Sequence, residues 1–185
     1  MWLSVFVLRE SPRPDRSAGL YGAAFVDYQQ GSPLTYHELL VARLLRGGLS
    51  RQVRITDIWV DSEESKAGGR SLWAIPKDIA ELPLEERRTG PVARTRFAGY
   101  AGGERIATAR FTSAPGAALV RTPLAASTSQ LREGGSTVVT SMRGNAKSLP
   151  CRGSWDFDAQ GPLGFLHGRR PLASFRLTDV RLTFG

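Results

Sequence analysis

The sequence predicts a mainly β fold (β-rich α+β) in one domain spanning residues 1–185. Three observations predict it. Short segments with two-residue apolar alternation follow one another along most of the chain. Strands do not alternate with helical patterns, which disfavours a doubly wound parallel sheet. One segment, Arg94–Tyr100, then Ala101-Gly102-Gly103, then Glu104–Phe111, has the form of a β-hairpin. Many strands at short spacing suit a sandwich or a closed barrel, and a barrel of this size can hold one small ligand.

The elements follow in order. Trp2–Leu8 is apolar but too short to span a membrane, and it lacks a signal peptide's basic start and small-residue cleavage site, so it reads as a strand. Tyr21–Tyr28 is a second strand, ended by the polar turn Gln29–Pro33. Tyr36–Arg46 suits either an amphipathic helix or a buried strand; its apolar content does not decide. In Gln52–Asp61, Val53, Ile55, Asp57 and Trp59 are expected opposite Arg54, Thr56, Ile58 and Val60. A short helix or turn is expected around Ser65–Trp73, stopped by Pro76. Leu82–Pro91 and Ala114–Ala126 read as loops. Ser136–Ser141 and Ala173–Phe184 are further strands, with Phe175, Leu177, Asp179 and Arg181 alternating against Arg176, Thr178, Val180 and Leu182.

Composition narrows the function classes. Cys151 is the only cysteine, so an intramolecular disulfide is impossible, which fits a reducing, cytoplasmic setting. As a nucleophile it would have only His37 and His167 as imidazole partners; a structural thiol is the simpler reading. No metal-ligand spacing is present, no phosphate-binding glycine pattern occurs, and no cofactor is expected. The net charge is +8, yet the basic residues are scattered, and the densest pair, Arg87-Arg88, sits beside Glu85-Glu86. This is a solvated surface rather than a nucleic-acid footprint. A positive field of this kind would still draw in anionic substrates.

The kind of base is more informative than the amount. Lys66, Lys77 and Lys147 are the only lysines among 25 basic residues. Arginine keeps its proton in a protein, whereas a lysine can lose it. Lys77 follows Trp73-Ala74-Ile75-Pro76 and precedes Asp78-Ile79-Ala80. Loss of solvation there would favour the free amine, which can attack a ketone and form a Schiff base. The alternative is a surface turn in which Lys77 pairs with Asp78 or Glu81.

The stretch Gly69-Arg70-Ser71-Leu72-Trp73-Ala74-Ile75-Pro76-Lys77 resembles the Gly-Arg-Glu-x-x-x-x-Pro-Lys signature of the acetoacetate decarboxylase-like superfamily. Ile55–Asp61 looks like the strand that leads into it. Tyr36-His37-Glu38 is similar to an earlier strand carrying a family glutamate, and Gly161–Gly185 to the close of small bacterial members. The resemblance implies a closed or cone-shaped antiparallel β-barrel with an internal pocket, in which Tyr36–Arg46 is a strand. It implies that Lys77 is the Schiff-base lysine and Glu38 a proton-moving carboxylate, the two catalytic residues. Arg70, Trp73, Tyr36 and Asp78 are then expected to meet the substrate. Two positions depart from the pattern: Ser71 replaces the signature glutamate, and Asp78 stands where the decarboxylase has a second lysine, whose charge is one proposed cause of the reactive amine's lowered pKa, an effect for which acetoacetate decarboxylase is itself the standing example.

The implied function is a lyase acting on a β-keto acid or related oxo compound. The alternatives are an imine-independent cyclase or dehydratase for a hydrophobic natural product, and a small-molecule-binding barrel without catalysis. The expected partners are a small oxo acid or hydrophobic natural product and further copies of the chain, with neither nucleic acid nor membrane.

Overall fold

Alternating segments become strands because one face of each can be buried while the other is not. The computed structural model describes residues 1–45, 52–113, 121–132 and 134–185. Its strands are β1 Trp2–Leu8, β2 Gly19–Tyr28, β3 Tyr36–Leu45, β4 Gln52–Val60, β5 Lys77–Ile79, β6 Leu84–Thr89, β7 Val92–Ala101, β8 Glu104–Ser113, β9 Arg121–Leu131, β10 Thr137–Pro150, β11 Arg152–Phe157 and β12 Ala173–Phe184. One helix, α1, spans Glu63–Trp73. Gly102 and Gly103, both at positive φ, make the turn between β7 and β8.

Strands β3-β2-β1-β12-β10-β9-β4 form one sheet, and a β3–β4 pairing closes it into a seven-stranded barrel. A second sheet, β11-β8-β7-β6, covers one side of it. Tyr36–Leu45 is therefore a strand, and 46–51 lies outside the described residues. The expected loop at Leu82–Pro91 instead contains β6, which pairs with β7. Of Ala114–Ala126, residues 114–120 lie outside the described residues, and Arg121–Ala126 already belongs to β9.

The barrel is mixed rather than wholly antiparallel. Strand β4 runs parallel to β9 through Gln52↔Ser127 and Val53↔Thr128, and parallel to β5. The chain reaches β5 by crossing over through α1, and a crossover, unlike a hairpin, returns the chain in the same direction.

Register assigns the two faces of the barrel wall. Val26↔Glu38↔Val60 and Ala24↔Leu40↔Ile58 lie in line, and Ile58 pairs with Lys77. These residues face inward. Trp2, Phe6, Phe25, Leu39 and Val41 face outward and form a core with Phe97, Phe111 and Phe157 of the second sheet. Phe25 stacks on Phe97 with centroids 4.2 Å apart. Each such fully buried side chain contributes about 1.5–3 kcal/mol.

Two irregularities break the alternation expected from sequence. The β3–β4 register shifts so that Ala42 pairs with Ile55 but Val41 with Asp57, leaving Thr56 as an extra residue. The bulge returns Ile58 and Val60 to the same inner face as Val53 and Ile55. In β12, Asp179 adopts a left-handed conformation with φ 50°, and the pairing with β10 slips there.

Candidate active site

Helix α1 begins where Ser62 Oγ accepts a hydrogen bond from Ser65 N at 3.1 Å, with Glu63 and Glu64 favouring the positive end of the helix. It ends at Ala74 in the left-handed region, where Ile75 N donates to Gly69 O. Pro76 cannot continue the helix, and the chain enters β5 beside β4. Ser65 and Gly69, one turn apart, lie on the same helix face.

Lys77 is buried, with 5% of its surface exposed, and so is Glu38 at 4%. Lys77 Nζ donates to Glu38 Oε2 at 2.9 Å, to Ser65 Oγ at 2.9 Å and to Tyr36 Oη at 3.4 Å. Three N–H groups thus meet three acceptors. Burying a charge requires such compensation, and removing one partner of a buried pair costs about 3–5 kcal/mol. Tyr36 stacks on Tyr28, with centroids 4.4 Å apart and planes 14° apart. Burial, reinforced by the Glu38 charge, holds the Tyr28 phenol well above its ordinary pKa. Tyr28 therefore stays neutral beside the carboxylate.

Gly69 is shaped for Lys77. A Cβ built there would lie 2.7 Å from Lys77 Cδ and 2.8 Å from Cε. The glycine in the Gly-Arg pair thus leaves the groove in which the lysine stem lies. Arg70 acts on the backbone: its Nε donates to Lys77 O at 2.6 Å. Asp78, on the opposite face of β5, points outward to Arg70 at 3.3 Å and to Lys66 at 3.9 Å. Arg70 and Asp78 thus pair around β5, and neither hydrogen-bonds to the Lys77 amine. Trp73 packs on Phe184, with centroids 5.2 Å apart, at the end of β12. Ser71 is exposed, and its Oγ donates to Gly68 O.

The structure thus brings together Lys77, Glu38 and Tyr36 from the sequence reading and adds Ser65 and Tyr28. Sequence reasoning missed Ser65 because a serine after two glutamates reads as helix entry. It missed Tyr28 because a tyrosine at a strand end reads as packing. His37 faces outward and is held by Asp61, through Nδ1 at 3.0 Å and its backbone N–H at 2.6 Å. Burial pushes the Cys151 thiol up to about 11, unsuited to a nucleophile. Among the described residues, no group of three His, Cys, Asp or Glu side chains is placed to hold a metal. No helix among them is long and apolar enough to cross a membrane.

Residues 13–145, well over half of the chain, match the family model for acetoacetate decarboxylase (ADC). The chain belongs to the acetoacetate decarboxylase family. Solved structures of that family share its fold. Acetoacetate decarboxylase from Legionella pneumophila subsp. pneumophila str. Philadelphia 1 is 16% identical with a TM-score of 0.64, over 100% of this chain and 83% of that one. An acetoacetate decarboxylase-like enzyme from Sphingomonas wittichii RW1 is 13% identical with a TM-score of 0.59, over 98% and 89%. The enduracididine biosynthesis enzyme MppR, in complex with pyruvate, is 17% identical with a TM-score of 0.56, over 98% and 86%. No curated protein sequence matches the chain.

Proposed function

We propose that this acetoacetate decarboxylase-family enzyme is a lyase that activates an oxo compound as an imine on Lys77. The observation that carries the reading is the buried amine, 2.9 Å from both a carboxylate and a hydroxyl. Glu38 accepts a proton from the ammonium, and the free amine attacks the carbonyl carbon. A C–N bond forms as the C–O π bond breaks, and the oxygen takes up a proton. Loss of water then leaves a protonated imine. Its positive nitrogen draws electrons from the adjacent carbon, where a C–C bond is cleaved or an enamine forms. Glu38 and Tyr36, both within hydrogen-bonding reach of Lys77 Nζ, are placed to carry the protons.

MppR in complex with pyruvate supports an oxo compound as the reactant class. Asp78, the departure from the signature closest to the lysine, does not oppose the reading, since its carboxylate lies outside.

A second reading rests on the full hydrogen bonding of Nζ. Lys77 would stay an ammonium and polarise the substrate's carbonyl oxygen by hydrogen bonding. Borohydride reduction during turnover, followed by peptide mass spectrometry, separates the two. The imine reading expects an adduct on Lys77 in the wild type. In Lys77→Arg, adduct and turnover disappear together, because arginine keeps the charge and lacks the nucleophile. Turnover of an oxo compound without an adduct across several substrates would leave only the second reading.

A further inference from the structure

We infer that the barrel takes a carbonyl compound with an extended, uncharged apolar chain, rather than a small oxo acid recognised by its carboxylate. This rests on the reading that Lys77 engages a carbonyl group.

Space is the first argument. Along β3, the outward-facing Leu39 and Val41 are completely buried beneath the second sheet. The inward-facing Leu40, Ala42 and Leu44 on the same strand are only half-buried. Strand β1 repeats the contrast: Phe6 points outward and is 0% exposed, whereas Val5 is half-buried and Val7 is 36% exposed. A barrel filled by its own side chains buries the inward set at least as well as the outward set. Along β1 and β3 the inward set is the more accessible, so room is left beside these two strands.

Charge is the second argument. Among the described residues, Lys77 and Glu38 are the only charged side chains that the register places on the inner face. The arginines of the barrel strands have the opposite parity, and several are engaged outside: Arg43 with Ala18 O, Arg54 with Ser129 O, Arg121 with Asp179, and Arg176 with Glu86. Glu38 already neutralises Lys77. A substrate carboxylate would meet that anion and, among the described residues, find no spare cation on the inner face, a costly arrangement in a buried site. A ketone oxygen needs only the N–H and O–H donors present.

Direction is the third. The polar groups cluster where α1 packs against β4 and β5. From Glu38 to Leu44 the wall runs about 20 Å along β3 and is apolar on its inner face. At the far end, Val7 pairs with Leu20, and both are accessible, at 36% and 40%. A bound chain would lie along this wall with its carbonyl at Lys77.

The test is binding without turnover. Calorimetry on the full chain compares 2-alkanones of increasing length with 2-oxo acids of equal carbon number. Each added methylene is expected to tighten ketone binding about fourfold until the wall is covered. The oxo acid of equal length should bind at least tenfold more weakly than the ketone. Lys77→Arg should keep the length dependence, because the wall and not the amine supplies it. Ala42→Phe, which narrows the channel midway, should cap the gain at short chains; should that variant not fold, the wild-type series decides alone. Affinity independent of length, or tighter binding of the oxo acid, would overturn the inference. If a short oxo acid is trapped on Lys77 while the length series is flat, the imine stands and this inference fails. If no adduct forms but the length series holds, the inference stands and the imine fails.

Discussion

At the scale of single residues, the site depends on small groups whose place in the sequence says little. Gly69 is the sharpest case, since any side chain there meets the Lys77 stem. Gly69→Ala should separate function from stability. Alanine favours a helix interior over glycine by up to about 1 kcal/mol, so the melting temperature should stay level or rise slightly. The lysine stem must move by a large part of an ångström, and misplacement of that order can cost roughly a hundredfold in rate. We therefore expect turnover and borohydride trapping to fall together in a variant that melts normally. Trapping at the wild-type rate would show that the groove is not what places the amine.

At the scale of elements, α1 holds one wall of the site, and its start sets the placement of Ser65. The Ser62 hydroxyl caps the helix through Ser65 N, and Ser65 Oγ accepts from Lys77 one side chain away. Ser62→Ala removes the cap at a cost of about 1 kcal/mol, which corresponds to roughly 2–4 °C in melting temperature at this size. Ser62→Asp supplies another capping acceptor and should restore both melting temperature and turnover. Thermal denaturation beside steady-state kinetics checks this; an alanine variant unchanged in both would remove the cap from the account. The element also explains why β5 runs parallel to β4. A helix between β4 and β5 allows the parallel pairing that puts Lys77 beside Ile58 and, across β4, near Glu38 of β3.

At the scale of the whole molecule, the second sheet covers only part of the barrel. On its outer face, Leu131 and Val139 are 55% and 58% exposed on the adjacent strands β9 and β10. Apolar side chains left open on neighbouring strands mark a surface that another chain can cover. We predict self-association through this face, with the closed point symmetry usual for copies of one chain. Sedimentation should show a dimer or larger species at micromolar concentration, and Val139→Glu should shift it toward monomer. A monomer at every accessible concentration would contradict this.

Much of the architecture is legible in the chain because alternation is a local property. The strands at Trp2–Leu8, Tyr21–Tyr28 and Gln52–Asp61, the β7–β8 hairpin and the closing strand can all be read from it. So can the chemical singularity of Lys77, which rests on a scarce residue type and on the Gly69–Lys77 stretch. Other features depend on partners distant in sequence. Tyr36–Leu45 is a strand because β2 and β4 flank it, which overrides a helical pattern. The Thr56 bulge exists because β3 fixes the register of β4, and it reverses the face assigned to Ile58 and Val60. Asp78, adjacent to Lys77 in sequence, points away from it because successive residues of a strand face opposite sides. Glu38, 39 residues distant, is within 2.9 Å. By itself the sequence determined which side chains could do chemistry and which segments would extend. Only the tertiary structure decided which of them meet, because the pairing of β3, β4 and β5 joins positions that no local pattern relates.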